Sequence, residues 1–86
     1  SYEIHVATYY MKRRAYVAAV NRAKYVLENY PTTPATPDAL GIMAKAYKLL
    51  GMNDLSDDAL RVLELNYPRN PYLTEVRKMK VKIKSG

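Results

Sequence analysis

The sequence of 86 residues contains no cysteine, three glycines and one histidine. Without cysteine the chain has no disulfide framework, no thiolate nucleophile and no cysteine-based metal cluster. The low glycine content, with 49% hydrophobic and 26% charged residues, excludes collagen-like and low-complexity classes and is typical of a folded chain. No apolar run approaches the roughly 20 residues that a membrane-spanning helix needs. The composition therefore predicts a single small domain over residues 1–86.

Positive charge is concentrated near the end of the sequence. The formal net charge is +6, and six basic residues against Glu75 alone give residues 69–86 a net charge of +5. Nucleic-acid-binding proteins usually carry basic and aromatic residues interleaved on one face of the fold, whereas this pattern is a basic tail. We therefore expect no nucleic-acid partner, and contact of the tail with an anionic membrane or a nucleic acid is kept as an alternative function.

The sequence repeats itself with a shift of 37 residues. The tripeptide Asn-Tyr-Pro at 29–31 recurs at 66–68, and the same shift relates Tyr10 to Tyr47 and Ala7 to Ala44. Large and small apolar positions thus recur in the same order, which indicates a helical repeat. The period is close to the 34 residues of a tetratricopeptide (TPR) unit, a hairpin of two helices.

Apolar spacing and helix-end signals predict an all-α fold. The spacing predicts helices over 3–12, 15–30, 36–50 and from 53 or 54 to 66. Thr36 is the expected N-cap of the third helix, with Pro37 at its first position, and Gly51 is expected to end that helix. The prediction is two TPR hairpins, with repeat 1 at about 3–31 and repeat 2 at about 36–68.

A fifth segment, over about 71–86, is predicted to be a C-terminal capping helix that covers the fourth helix and ends in the basic tail. Asn70-Pro71 is a start signal for this helix. A single helical stripe is formed by Tyr72, Val76, Met79 and Ile83, although residues 79–84 also alternate as a strand would. The helix is favoured because the chain offers no partner strand.

No catalytic, metal or cofactor site is predicted. His5 is the only histidine, and no serine lies at a spacing that suggests a serine–histidine–acid set. Asp54, Asp57 and Asp58 lack the alternating ligand pattern of a calcium loop, and carboxylates at a helix N-terminus are explained by capping and the helix dipole. We expect a protein that is not an enzyme and has no cofactor.

Several segments together resemble the C-terminal TPR part of the BamD (ComL-type) family of lipoproteins. The segments are VATYY at 6–10, RAYVAAVNR at 14–22, NYPTTPAT at 29–36 and DAL at 38–40, and the resemblance covers roughly residues 2–72. It is specific because it includes Asn21 and Arg22 and the loop threonines, which a TPR core does not require.

The resemblance implies a non-enzymatic scaffold of the outer-membrane β-barrel assembly complex. Members of the family lie on the periplasmic face of the outer membrane, held there by a lipid anchor that is absent from this sequence. The implied partners are the POTRA region of BamA and other lipoproteins of the complex. A generic TPR module that binds peptides in another complex is the alternative.

Two sets of residues are candidates for partner binding. The first contains Arg22, with Arg13 and Tyr9 nearby, because a planar guanidinium pairs well with a partner carboxylate. The second is a partly basic groove on the first helices of the repeats, where lysines could hold an acidic group of an extended peptide. Its expected members are Ile4, Thr8, Met11, Lys12, Gly41, Lys45 and Lys48.

Overall fold

The computed structural model describes residues 1–79, and within this range it is all-helical, with five α-helices and no strand. The helices are α1 (Tyr2–Lys12), α2 (Tyr16–Asn29), α3 (Ala35–Leu49), α4 (Asn53–Asn66) and α5 (Pro71–Lys78). The pairs α1–α2 and α3–α4 are the two predicted hairpins, and they form a TPR-like helical repeat. None of these helices has the length and apolar character needed to cross a membrane.

The turns of the two hairpins have similar backbone conformations, so the repeat is present in the backbone as well as in the sequence. Arg14, after α1, has a φ angle of 61°, and Gly51, 37 residues later, has a φ angle of 78°. In both turns the next amide donates back into the helix over 2.9 Å, from Ala15 to the Tyr10 carbonyl and from Met52 to the Tyr47 carbonyl. Both helices thus end on a left-handed residue, which is favourable for glycine and costly for arginine.

Small side chains lie where the two helices of each hairpin pack together. Ala7 and Ala19 are fully buried in the first hairpin, and Ala44 and Ser56 occupy the equivalent positions in the second. Ser56 is the buried polar side chain among residues 1–79, and its hydroxyl donates to the Ala44 carbonyl over 2.8 Å. The hydroxyl is therefore satisfied inside the hairpin, as a buried polar group requires.

Equivalent tyrosines of the two repeats have different environments. Tyr47 is 8% exposed and packs with Val20 and Ala46, because α2 of the first hairpin covers it. Tyr10 occupies the same position in the first repeat but is only half-buried. The stacking of one hairpin on the other, and not the repeat sequence, decides this difference.

The predicted start of the third helix is wrong by one to two residues. The helix begins at Ala35, preceded by Pro34, so Thr36 is not its N-cap and Pro37 is not its first residue. The Thr36 hydroxyl instead accepts a hydrogen bond from the Thr33 amide over 3.0 Å and closes the loop. Pro37 is tolerated because amides of the first helical turn have no acceptor inside the helix.

The fifth helix covers the third helix as well as the fourth, which corrects the predicted capping. Its Leu73 and Val76 are buried in one cluster with Leu40 of α3 and Leu63 of α4. The predicted start is confirmed, since the Asn70 side chain accepts from the Tyr72 amide over 2.9 Å. The helix ends at Lys78, earlier than its apolar stripe suggested, and Ile83 lies outside the described residues.

Candidate interaction surfaces

Arg22 lies in the middle of α2 and is held by an acidic residue of α1. Its Nη1 donates to the Glu3 carboxylate over 3.0 Å, and the side chains of Arg22 and Glu3 are 36% and 17% exposed. This hydrogen bond raises the pKa of the Arg22 guanidinium above its usual value, and the negative charge of Glu3 raises it as well. Arg22 therefore stays charged and is less free to move than an ordinary surface arginine.

An aromatic side chain completes the surroundings of Arg22. Tyr25, one helical turn later, places its ring centroid 5.9 Å from the central guanidinium carbon, which is within the range of a cation–π contact. A shallow groove of about 380 Å³ runs beside these residues and is also lined by Tyr10, Ala18 and Asn21. The cation thus lies in a concave part of the surface where a partner side chain can enter.

Arg13 and Tyr9, the other two residues predicted for this surface, form a pair of their own. The guanidinium carbon of Arg13 is 5.9 Å from the centroid of the Tyr9 ring, and Tyr9 is 54% exposed. Tyr9 is connected to the Arg22 groove through Tyr10, whose ring centroid is 6.0 Å away. The three predicted residues are therefore connected on the first hairpin through Tyr10. We call the set of Tyr9, Arg13, Arg22 and Tyr25 the Tyr–Arg edge.

Two of the three lysines predicted for the second surface share a groove. Lys12 and Lys45 line a groove of about 370 Å³ whose walls come from α1, α2, α3 and α5, with Thr8, Met11, Tyr16, Ile42, Leu49 and Tyr72 as the other lining residues. Lys48, in the last turn of α3, is half-buried and is not among the residues that line this groove. Lys45 forms an ion pair with Glu75 of α5, with 2.5 Å between Nζ of the lysine and Oε2 of the glutamate. A partner carboxylate in this groove would compete with Glu75 for Lys45.

Gly41 was expected on the groove surface, and this expectation is wrong. Gly41 is buried because the ring of Tyr72, on α5, lies directly against its backbone. A Cβ atom at position 41 would overlap carbons of this ring. The glycine therefore has a packing role, as the contact point of α5 on α3, and the exposed groove is shorter than the sequence suggested.

Among residues 1–79, no group of three or more histidine, aspartate and glutamate side chains is placed to hold a metal ion. His5 is exposed on α1, and the acidic residues at the start of α4 are exposed as well. Asp58 of that segment pairs with Arg61 over 3.1 Å, three residues away.

Glu3, Tyr25 and Glu75 belong to the two surfaces but were not predicted from the sequence. Tyr25 follows Arg22 at a spacing of three on a predicted helix, so helical geometry could have identified it. Glu3 and Glu75 are 19 and 30 residues from their cationic partners. Nothing in the local sequence indicates a pairing over such distances, because it depends on how the helices pack.

Two antiparallel helix pairs with a 37-residue offset, joined to a fifth helix, define the class of TPR-like helical-repeat proteins. Exposed arginine and tyrosine side chains, which such a stack presents, are residue types enriched in protein interfaces.

Comparison with known proteins agrees with this class. The model of the YfiO family, described as an outer membrane lipoprotein, matches residues 1–63. The outer membrane protein assembly factor BamD of Neisseria gonorrhoeae is 49% identical over 72 residues, or 84% of this chain and 27% of that protein. BamD of Xylella fastidiosa (strain Temecula1) is 44% identical over 72 residues, 84% of this chain and 25% of that protein.

A more distant relative, the BamD protein of Haemophilus influenzae, is 37% identical over 65 residues, which cover 76% of this chain and 25% of that protein. The chain belongs to the YfiO family of outer membrane lipoproteins, which confirms the resemblance found in the sequence. It spans about a quarter of the length of these curated relatives.

Proposed function

We propose that this chain is a non-enzymatic docking module of outer membrane protein assembly, and that the Tyr–Arg edge binds the POTRA region of BamA at the periplasmic face of the outer membrane. The family supports the process, since the relatives are named outer membrane protein assembly factors. Other lipoproteins of the same complex are further partners in this proposal.

The observation that carries the proposal is the position of Arg22 beside an open groove. The guanidinium is oriented by Glu3 and Tyr25, and its hydrogen bond to Glu3 uses Nη1. Nη2 and Nε provide further N–H donors in the plane that suits a carboxylate. Tyrosine and arginine are also the residue types most enriched among those that dominate the binding energy of protein interfaces.

The proposal is tested with Arg22→Glu and the milder Arg22→Gln, by measuring binding of this chain to the purified periplasmic domains of BamA. We expect Arg22→Glu to raise the Kd at least about fivefold and Arg22→Gln to raise it less, because the first reverses the charge and the second only removes it. Far-UV circular dichroism should show the same helix content for both variants.

Arg61→Glu is the matched control. Arg61 is also an arginine in the middle of a second helix, paired with a single acid, but it lies on α4. Its reversal should leave the Kd unchanged. Absence of binding by the unaltered chain, or equal Kd values for Arg22→Glu and the unaltered chain, would remove the Tyr–Arg edge as a binding site for the POTRA region.

The groove that contains Lys12 and Lys45 supports a second candidate function. Its cationic residues and the apolar wall formed by Met11, Ile42 and Leu49 are suited to an extended peptide with a carboxylate. Binding of free acidic peptides, together with little affinity for POTRA domains, would favour this candidate. The alternative of membrane or nucleic-acid contact involves the basic tail, most of which lies outside the described residues.

A further inference from the structure

We propose that Glu3 is an internal competitor for Arg22, which lowers the affinity of the Tyr–Arg edge for an acidic partner. This inference rests on the proposed function and adds a regulating residue to the same surface. In the structure the Glu3 carboxylate occupies part of the guanidinium that a partner carboxylate would otherwise bind.

The first argument comes from the internal repeat. A shift of 37 residues relates Glu3 to Leu40 and Arg22 to Ala59. In the second hairpin both equivalent residues are about 6% exposed and lie in one apolar cluster, so the hairpin closes there without any ion pair. The repeat architecture therefore does not by itself require an ion pair at this position, which leaves room for a further role of the Glu3–Arg22 pair.

The second argument is electrostatic. The Glu3 carboxylate carries a negative charge and pairs directly with the guanidinium of Arg22. With this charge 3.0 Å from the guanidinium, an approaching carboxylate meets a nearly neutral pair and is repelled by Glu3. Partner binding must then either displace Glu3 or use only the remaining N–H donors of Arg22.

The third argument is that Arg22 does not depend on Glu3 alone for its position. The ring of Tyr25 lies 5.9 Å from the guanidinium carbon, on the same helix as Arg22. Loss of the Glu3 charge should therefore expose the cation without removing it from the groove.

Glu3→Gln tests the inference, because glutamine has nearly the same size as glutamate but no charge. We expect the Kd for the periplasmic POTRA domains of BamA to fall about three- to tenfold, mainly through faster association, which added salt should diminish. The combined variant Glu3→Gln with Arg22→Gln should bind no more tightly than Arg22→Gln, since Glu3 acts only through that cation.

Glu64→Gln is the matched control. Glu64 forms an ion pair between two helices in the same way, accepting from both Nη1 and Nη2 of Arg77 over 3.1 Å. Its neutralisation frees a cation outside the Tyr–Arg edge and should leave the Kd unchanged. An equal gain in both variants would mean that net charge alone matters and would overturn the inference.

A second readout separates failure of the inference from failure of the proposed function. The Nε–H signal of Arg22 is followed by nuclear magnetic resonance while an oligoglutamate peptide is added. The signal of the Glu3→Gln variant should reach half-saturation at a lower peptide concentration than that of the unaltered chain. If POTRA binding is absent but this shift occurs, only the proposed partner is wrong; if Glu3→Gln changes neither measurement, the competitor role is wrong.

Discussion

Gly41→Ala provides a direct test of the contact between α5 and the repeat stack. In an exposed helix interior this substitution would stabilise the protein by about 0.8–1 kcal/mol, because alanine has the higher helix propensity. At position 41 the new methyl group would overlap ring carbons of Tyr72. Overpacking of this kind costs about 1–3 kcal/mol. We therefore expect a net loss of roughly 0–2 kcal/mol in the free energy of unfolding.

Removing the ring should reverse the sign of this effect. Truncation of a fully buried aromatic residue costs about 3–5 kcal/mol, so we expect Tyr72→Ala, at a half-buried ring, to cost about 2 kcal/mol. In the Tyr72→Ala background Gly41→Ala no longer meets the ring and should stabilise the chain by about 1 kcal/mol. The two substitutions should thus be coupled by about 1–3 kcal/mol.

The assay is equilibrium urea unfolding of the unaltered chain, both single variants and the double variant, followed by far-UV circular dichroism. Since the double-mutant cycle subtracts effects common to both backgrounds, the propensity gain cancels and only the contact remains. An equal stabilisation by Gly41→Ala with and without the Tyr72 ring would show that the ring does not lie on Gly41. The packing of α5 against α3 described above would then be incorrect.

Two further predictions concern the hairpin turns and the half-buried Tyr72. Arg14→Gly should raise the free energy of unfolding by about 0.5–1 kcal/mol and Gly51→Ala should lower it by about 1 kcal/mol, because both positions have positive φ angles. A Cβ at position 51 would meet no atom within 4 Å, so the thermal unfolding midpoints of these variants would report backbone strain, and opposite signs would refute the argument. Burial, followed by the charges of Glu75 and Asp38, raises the pKa of Tyr72, so the folded state keeps a proton that the unfolded state loses above about pH 10. Stability should therefore fall as the pH rises from about 10 through the folded-state pKa, and urea unfolding of Tyr72→Phe over this range should show a smaller fall.

The candidate surfaces contain residues that the sequence predicts and partners that depend on helix packing. The resemblance points to Arg22, with Arg13 and Tyr9 expected nearby, and in the structure these residues are connected through Tyr10. Their partners were not predictable. Glu3 contacts Arg22 because α1 and α2 pack with these two positions facing each other. The spacing of apolar residues predicts each helix, but it does not predict how the two helices are placed relative to each other.

The sequence by itself determined the repeat, the recurrence of small and large apolar positions, and the helix bounds to within one or two residues in most cases. These features depend on interactions between residues three or four positions apart, or on a pattern that recurs after 37 residues. Both can be recognised from the order of residues along the chain. Only the tertiary structure decided that Tyr47 is buried while Tyr10 stays half-exposed, and that Gly41 receives the ring of Tyr72. The physical reason is that identical residues acquire different neighbours according to whether another helix packs over them, and this packing depends on the whole stack.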